Sequence, residues 1–336
     1  MMSNPQEFPE LEPLPNESSP LEPTPPPALE DTLPLFEQTP LLGESHPQFP
    51  AEESPIFVAW SQPEAPPVVR IPNFGHFGIL SVLTFAGAAA TGLLTQLAMH
   101  FHLFGVSNVE QLSKNIPYGL ATQALLYLLV LVLCLIVFPL IWQKSLFAGL
   151  QWNGATALRL RGKLSGAAAG CFLLAMVDGI LIPTKGDAPI DEVFKAPGGA
   201  WLLFVFGVTF APFFEEMAFR GFLLPALCTA WDWADEQANQ LAPLPLHPNG
   251  HPQWSTGAMI AGSIAASLPF AAIHGAQTGY SLGPFLLLVC VSLVLCWVRL
   301  ATKSLAASTL VHACYNFILF FLSFTLTDGF RHLDKM

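Results

Sequence analysis

Polar and apolar positions divide this chain into long apolar runs separated by short polar ones. Between Arg70 and Glu110 there is no Asp, Glu, Lys or Arg, and Phe77 to Met99 is the apolar heart of that stretch. Tyr118 to Trp142 is a second run, Leu164 to Ile182 a third broken only by Asp178, and Gly198 to Phe214 a fourth. Residues 237–298 carry no formal charge and hold two more, Ser255 to His274 and Ser281 to Val298; Ser304 to Leu326 is the last. About 20 apolar residues in a helix cross about 30 Å of hydrocarbon. Lipid offers no partner to a free backbone amide, so each run must be helical. The expected fold class is therefore all-α, a polytopic membrane helix bundle of seven to eight spans. A buried soluble bundle would not tolerate seven such segments with so little charge.

Composition agrees. Apolar residues make up 52% of the 336 and charged residues only 11%, with a mean hydropathy of +0.51. A soluble domain carries about 25% charged residues. The net charge of -11 belongs to one end: residues 1–70 hold 12 acids and a single base, Arg70, while the remainder is neutral. No basic patch exists to offset phosphates, which argues against nucleic acid as a partner.

Residues 1–70 also hold 17 of the 31 prolines. Such a segment cannot bury enough apolar surface to offset its ordering entropy, so it is expected to be a disordered acidic tail, locally polyproline II. The segment PTPPP is similar to ligands of proline-reading domains; a solvated spacer is the plainer reading. The tail lacks the basic start and apolar core of a signal peptide. Two domains follow: the tail, 1–70, and a multi-span membrane domain, 71–336. The six cysteines lie in or beside apolar runs without CxxC spacing, which indicates neither a disulfide framework nor a zinc cluster.

Seven passes put Arg70, Lys144, Arg159, Arg161, Lys163, Arg220, Arg299 and Lys303 on one side, and Lys114, Lys185, Lys195, Arg331 and Lys335 on the other. The positive-inside tendency then places the tail in the cytoplasm. A cell-membrane location is the expectation.

Ionisable groups inside spans are costly and functional by default. Three clusters qualify. In Glu215-Glu216-Met217-Ala218-Phe219-Arg220, Glu216 and Arg220 are four apart and share a helix face. Glu215 is rotated about 100° from Glu216. The two carboxylates therefore meet different environments, which suits one to be a held anion and the other a general base. An interfacial helix end with Arg220 snorkelling is the bland alternative. His274 closes the run Phe270-Ala271-Ala272-Ile273. His312 and Asn316, four apart, share a face inside the last run, where interhelical glue is the bland alternative.

In this order EEMAFR, FAAIH and HACYN resemble the EExxxR, FxxxH and HxxxN motifs of the CPBP family of intramembrane proteases (CAAX protease and bacteriocin-processing, also called abortive infection). Gly221 after the arginine fits as well. The resemblance covers roughly Gly198 to Phe321. It implies a bundle of mostly eight spans around a conical cavity, with an eighth or re-entrant piece expected between Gly221 and Trp254. By resemblance Glu215 is the catalytic glutamate, Glu216 and Arg220 complete its motif, and His274, His312 and Asn316 are the other site residues. The implied activity is endopeptidase hydrolysis of a membrane-associated peptide, CAAX-type or leader, in the lipid bilayer. The runner-up is a non-catalytic scaffold, or a transporter using Glu215 and Glu216 as a proton relay. A transporter would bring inverted repeats, and none is visible.

The residue types admit two mechanisms. A carboxylate in a cavity of low dielectric is a stronger base, and histidine and asparagine donors can face a developing oxyanion. Two histidines and a carboxylate also make an open zinc site. The favoured expectation requires no metal, because Asn316 is a poor zinc ligand and no clear partner for either histidine is visible, Asp178 being unplaced. One tension remains at this level: counted along their runs, Glu215, His274 and His312 fall at different depths. Pro212 and Pro269 are the helix breaks that can bring them together.

Overall fold

A computed structural model describes residues 69–105, 108, 110–111, 115–182, 189–196, 198–248 and 250–331. Nearly all of the acidic tail lies outside the described residues, as do Lys114, Lys185 and Lys335. Among the described residues the chain is helical and seven stretches are long and apolar enough to cross a membrane. They are α1 (Phe74–His100), α2 (Ile116–Trp142), α3 (Arg161–Leu181), a composite run over Gly199–Asn239, α7 (Thr256–Ile273), α8 (Leu282–Thr302) and α9 (Leu305–Leu326). The composite run divides into α4 (Gly199–Val208), α5 (Phe210–Glu216), a π-helical turn (Met217–Leu223) and α6 (Leu224–Asn239).

Four of the long helices begin where the sequence supplies an acceptor for the first free amides. Oδ1 of Asn73 accepts from the His76 amide, and Asn115, Ser255 and Ser304 cap α2, α7 and α9 in the same way. The run from α4 to α6 is broken where prolines forbid a ladder bond. Pro212 cannot donate to the Val208 carbonyl, and the chain bends at Thr209 between α4 and α5. At the other end the Leu224 amide bonds to Phe219 O, five residues back, and Pro225 follows without an N–H. A single wide turn of this kind is common at functional sites.

α9 packs against α3, α4, α5 and α8, and α7 lies between α6 and α8, with α1 against α2. An aromatic core of Phe138, Trp142 and Phe222 joins α2 to the π-turn. At one end of the bundle the Leu305 amide donates to Gln151 O, Ser304 Oγ donates to Asn153 O, and Arg70 pairs with Glu236. At the other the Ile190 amide donates to Gln277 O. This pairing of ends is that of seven passes.

Two expectations change. The region after Gly221 forms α6, which prolongs the fourth run with polar Asp232, Asp235 and Glu236, so no separate eighth span appears among the described residues. Arg220 and Arg299 were counted among the bases on one side of the membrane; both are buried inside the bundle, at 0% and 3% exposure. Without them the orientation rests on six bases against five.

Candidate active site

Glu216 and Arg220 are both fully buried, and Arg220 Nη1 donates to Glu216 Oε1 at 2.9 Å. The guanidinium also donates through Nη2 to Ser292 Oγ at 2.7 Å and to Ser292 O at 3.2 Å. Its carbon stands 4.4 Å from the centre of the Phe270 ring. One cation thus ties the π-turn to α8 and α7, with a carboxylate, two oxygens and an aromatic face to offset its desolvation. Glu216 Oε1 has a second partner, His312 Nδ1 at 3.1 Å.

Glu215 points elsewhere. Its carboxylate, 15% exposed, places Oε2 3.6 Å from His274 Nε2 and 3.8 Å from His312 Nε2. Both gaps exceed a direct hydrogen bond. The far nitrogen of each ring is engaged: His274 Nδ1 meets Phe270 O at 2.7 Å, and His312 Nδ1 meets Glu216. A carbonyl and a carboxylate only accept, so each Nδ1 carries a proton, and each ring turns its Nε2 toward Glu215. Phe270, which opens the FAAIH motif, has its ring centre 4.9 Å from that of His274 and 6.0 Å from that of His312.

The depths expected to differ do meet. Glu215 is near the middle of the 41-residue composite run rather than near the end of a 20-residue span. His274 is the C-cap of α7 and His312 the eighth residue of α9. The six residues singled out in the sequence therefore fall into two layers. Glu215, His274, His312 and Asn316 line a cavity of about 840 Å³; Glu216 and Arg220 lie behind it. The walls are mainly apolar, with Leu203, Phe206, Leu319 and Phe320 among them. Asn316 Nδ2 donates to Gly207 O at 2.7 Å, which commits one of its two N–H groups to α4. Gly207 is needed there, since a Cβ would fall 2.8 Å from the Phe320 ring.

Sequence reading missed part of this wall. Gln123 of α2 lines the cavity and its Nε2 donates to the Tyr127 hydroxyl at 3.1 Å. The Tyr127 ring stacks 4.5 Å from Phe214, the neighbour of Glu215. Their four-residue spacing in an otherwise apolar run was the available signal. Ser292 and Arg299 were missed too; with Leu295 and Cys296 they form one helical face of α8, at spacings of three and four.

Among the described residues no three of His, Cys, Asp or Glu are gathered tightly enough to hold a metal ion. The structure nonetheless corrects one reason given against zinc. Each histidine has an Nδ1 partner, Phe270 O and Glu216, which is how histidine ligands are held. Asp178 is not that partner.

No curated protein and no solved structure matches the chain. Residues 197–318, which carry all three motifs, match the family model for type II CAAX prenyl endopeptidases, Rce1-like, and this is the CAAX protease family that the motifs resemble.

Proposed function

We propose that this protein is an intramembrane endopeptidase in which Glu215 activates water against a peptide bond. One observation carries the reading: of two adjacent carboxylates, one is consumed in a buried ion pair and the other faces an apolar cavity between two imidazole Nε2 atoms. The match at residues 197–318 supports the peptidase class.

A water between Glu215 and the histidines would donate one hydrogen to Oε2 and be held on its other side by a histidine Nε2. Its oxygen attacks the carbonyl carbon as Glu215 takes the first proton. Negative charge then gathers on the former carbonyl oxygen, to which the second N–H of Asn316, a residue of the cavity wall, would donate. Collapse of the intermediate breaks the C–N bond, and Glu215 returns its proton to the leaving amine. His312 keeps its orientation through Glu216, and Glu216 keeps its charge through Arg220.

The substrate class we assign is a membrane-associated peptide cut near its C-terminus or at a leader junction; we place the protein in the cell membrane with its tail in the cytoplasm. Purified protein incubated with a peptide library and read by mass spectrometry should yield discrete cleavages. No cleavage by wild type, or equal cleavage by Glu215→Ala, would favour the scaffold or transporter.

We further propose that no metal takes part. Exhaustive dialysis against chelator should leave turnover unchanged, with metal content measured on the same active sample. Stoichiometric zinc, with activity lost on removal and restored on return, would overturn the metal-free mechanism and leave the peptidase standing.

The acidic tail is taken to be dispensable, because every candidate site residue lies at or beyond Glu215. Deleting residues 1–65 should leave turnover within about a few-fold, since no group that touches the reacting atoms is removed. Collapse of activity in a stably inserted truncation would show that the tail gates or recruits.

A further inference from the structure

Arg299 of α8 is a buried cation. Its three contacts are all to neutral oxygens. Nε donates to Arg220 O at 3.2 Å, Nη1 to Gln151 Oε1 at 2.7 Å, and Nη2 to Leu150 O at 3.3 Å. Burying a guanidinium in this way is costly, so what the arrangement holds in place matters.

The first contact fills a vacancy in the ladder made by the π-turn. In an α-helix the Arg220 carbonyl would accept from the Leu224 amide, but that amide bonds to Phe219 O. In a continued π-helix it would accept from residue 225, which is proline and has no N–H. An orphaned buried carbonyl costs about as much as a lost hydrogen bond, and Arg299 supplies the donor. The second contact reaches Gln151, held at a left-handed φ of 57°. The carbonyl of Gln151 accepts from the Leu305 amide, at the first residue of α9. Arg299 and Gln151 therefore connect the turn that follows Glu215 and Glu216 to the start of the helix that bears His312 and Asn316.

We propose that Arg299, acting through Gln151, is a positioning residue that fixes the π-turn against α9 and so sets the approach of His312 to Glu215 and Glu216. It touches none of the reacting groups. Its effect on turnover rests on the endopeptidase reading; its effect on the two elements does not.

The test uses the full-length protein in lipid nanodiscs and three variants. Arg299→Lys keeps the charge but replaces the three-pronged guanidinium with one ammonium. Gln151→Met keeps the bulk and removes the acceptor. Gln151→Glu restores an acceptor for Nη1. An internally quenched peptide carrying a palmitoyl anchor reports kcat and KM. Hydrogen exchange over residues 217–224 and 305–308 reports the two elements without reference to activity.

Arg299→Lys and Gln151→Met should each lose protection in both segments. Their kcat should fall on the order of a hundredfold, the size of effect a displacement of about 1 Å produces, with KM nearly unchanged. Gln151→Glu should recover both protection and kcat, which bulk alone would not explain. Unchanged exchange in Gln151→Met overturns the proposal. So does exchange that rises in an active enzyme whose kcat does not fall, or a Gln151→Glu variant no better than Gln151→Met. If wild type cleaves nothing, the endopeptidase reading fails, and the exchange experiment alone decides whether the clamp exists.

Discussion

Glu215→Gln should abolish turnover and leave the fold intact. The exchange is nearly isosteric, and among the described residues Glu215 makes no ionic contact closer than 3.6 Å, so little binding is lost within the protein. An amide at this position can still hydrogen-bond a water, but it cannot take the water's proton. Loss of a positioned general base costs about 10²–10⁴ in rate. Here the same carboxylate must also reprotonate the leaving amine, so the upper part of that range applies. The measurement is turnover of the anchored quenched peptide beside a thermal unfolding curve in the same lipid. Activity within tenfold of wild type would place the base elsewhere. A large fall in unfolding temperature would make Glu215 a structural group and remove the reason for the assignment.

Much of this site could be read before any coordinates, for physical reasons that differ by residue. The seven membrane runs were legible because lipid forces the backbone to satisfy itself, so length and apolarity are enough. That Glu215 and Glu216 would differ followed from 100° of rotation between neighbours on a helix. Which of them would be buried did not, since that depends on where α8 and α9 stand. Arg220 illustrates the limit. Its pairing with Glu216 is local and was visible as a four-residue spacing, but its bonds to Ser292 span 72 positions and belong to packing. The π-turn was hidden as well. Pro225 marks a missing donor, yet nothing local says whether the chain will kink, stop or widen there. Arg299 was misassigned for a related reason: a base near the end of an apolar run reads as an interfacial charge unless the orphan carbonyl waiting for it is known. The conflict of depths between Glu215, His274 and His312 came from assuming one span where the chain makes a broken run of 41 residues.

The Glu216–Arg220 pair should behave in the opposite way to Glu215, as a determinant of stability first. Both side chains are fully buried, so removing either leaves the other charge without its counterion. Breaking a buried pair costs about 3–5 kcal/mol. Glu216→Gln would leave Arg220 with no counterion beside Ser292 and the Phe270 ring, and Arg220→Met would leave Glu216 with His312. Each single variant should unfold well below wild type, and each should lose turnover. The double variant Glu216→Leu with Arg220→Met removes both charges and keeps the volume. It should recover most of the lost stability, because replacing a buried ion pair by packed apolar groups is often neutral or better. It should not recover turnover, because His312 would then have no acceptor for its Nδ1 proton and no fixed orientation toward Glu215. Unfolding in a single lipid composition, with peptide turnover measured on the same preparations, separates the outcomes. Single variants as stable as wild type would show that the pair is not the buried anchor its geometry describes. A double variant with wild-type turnover would show that Glu216 does not act through His312.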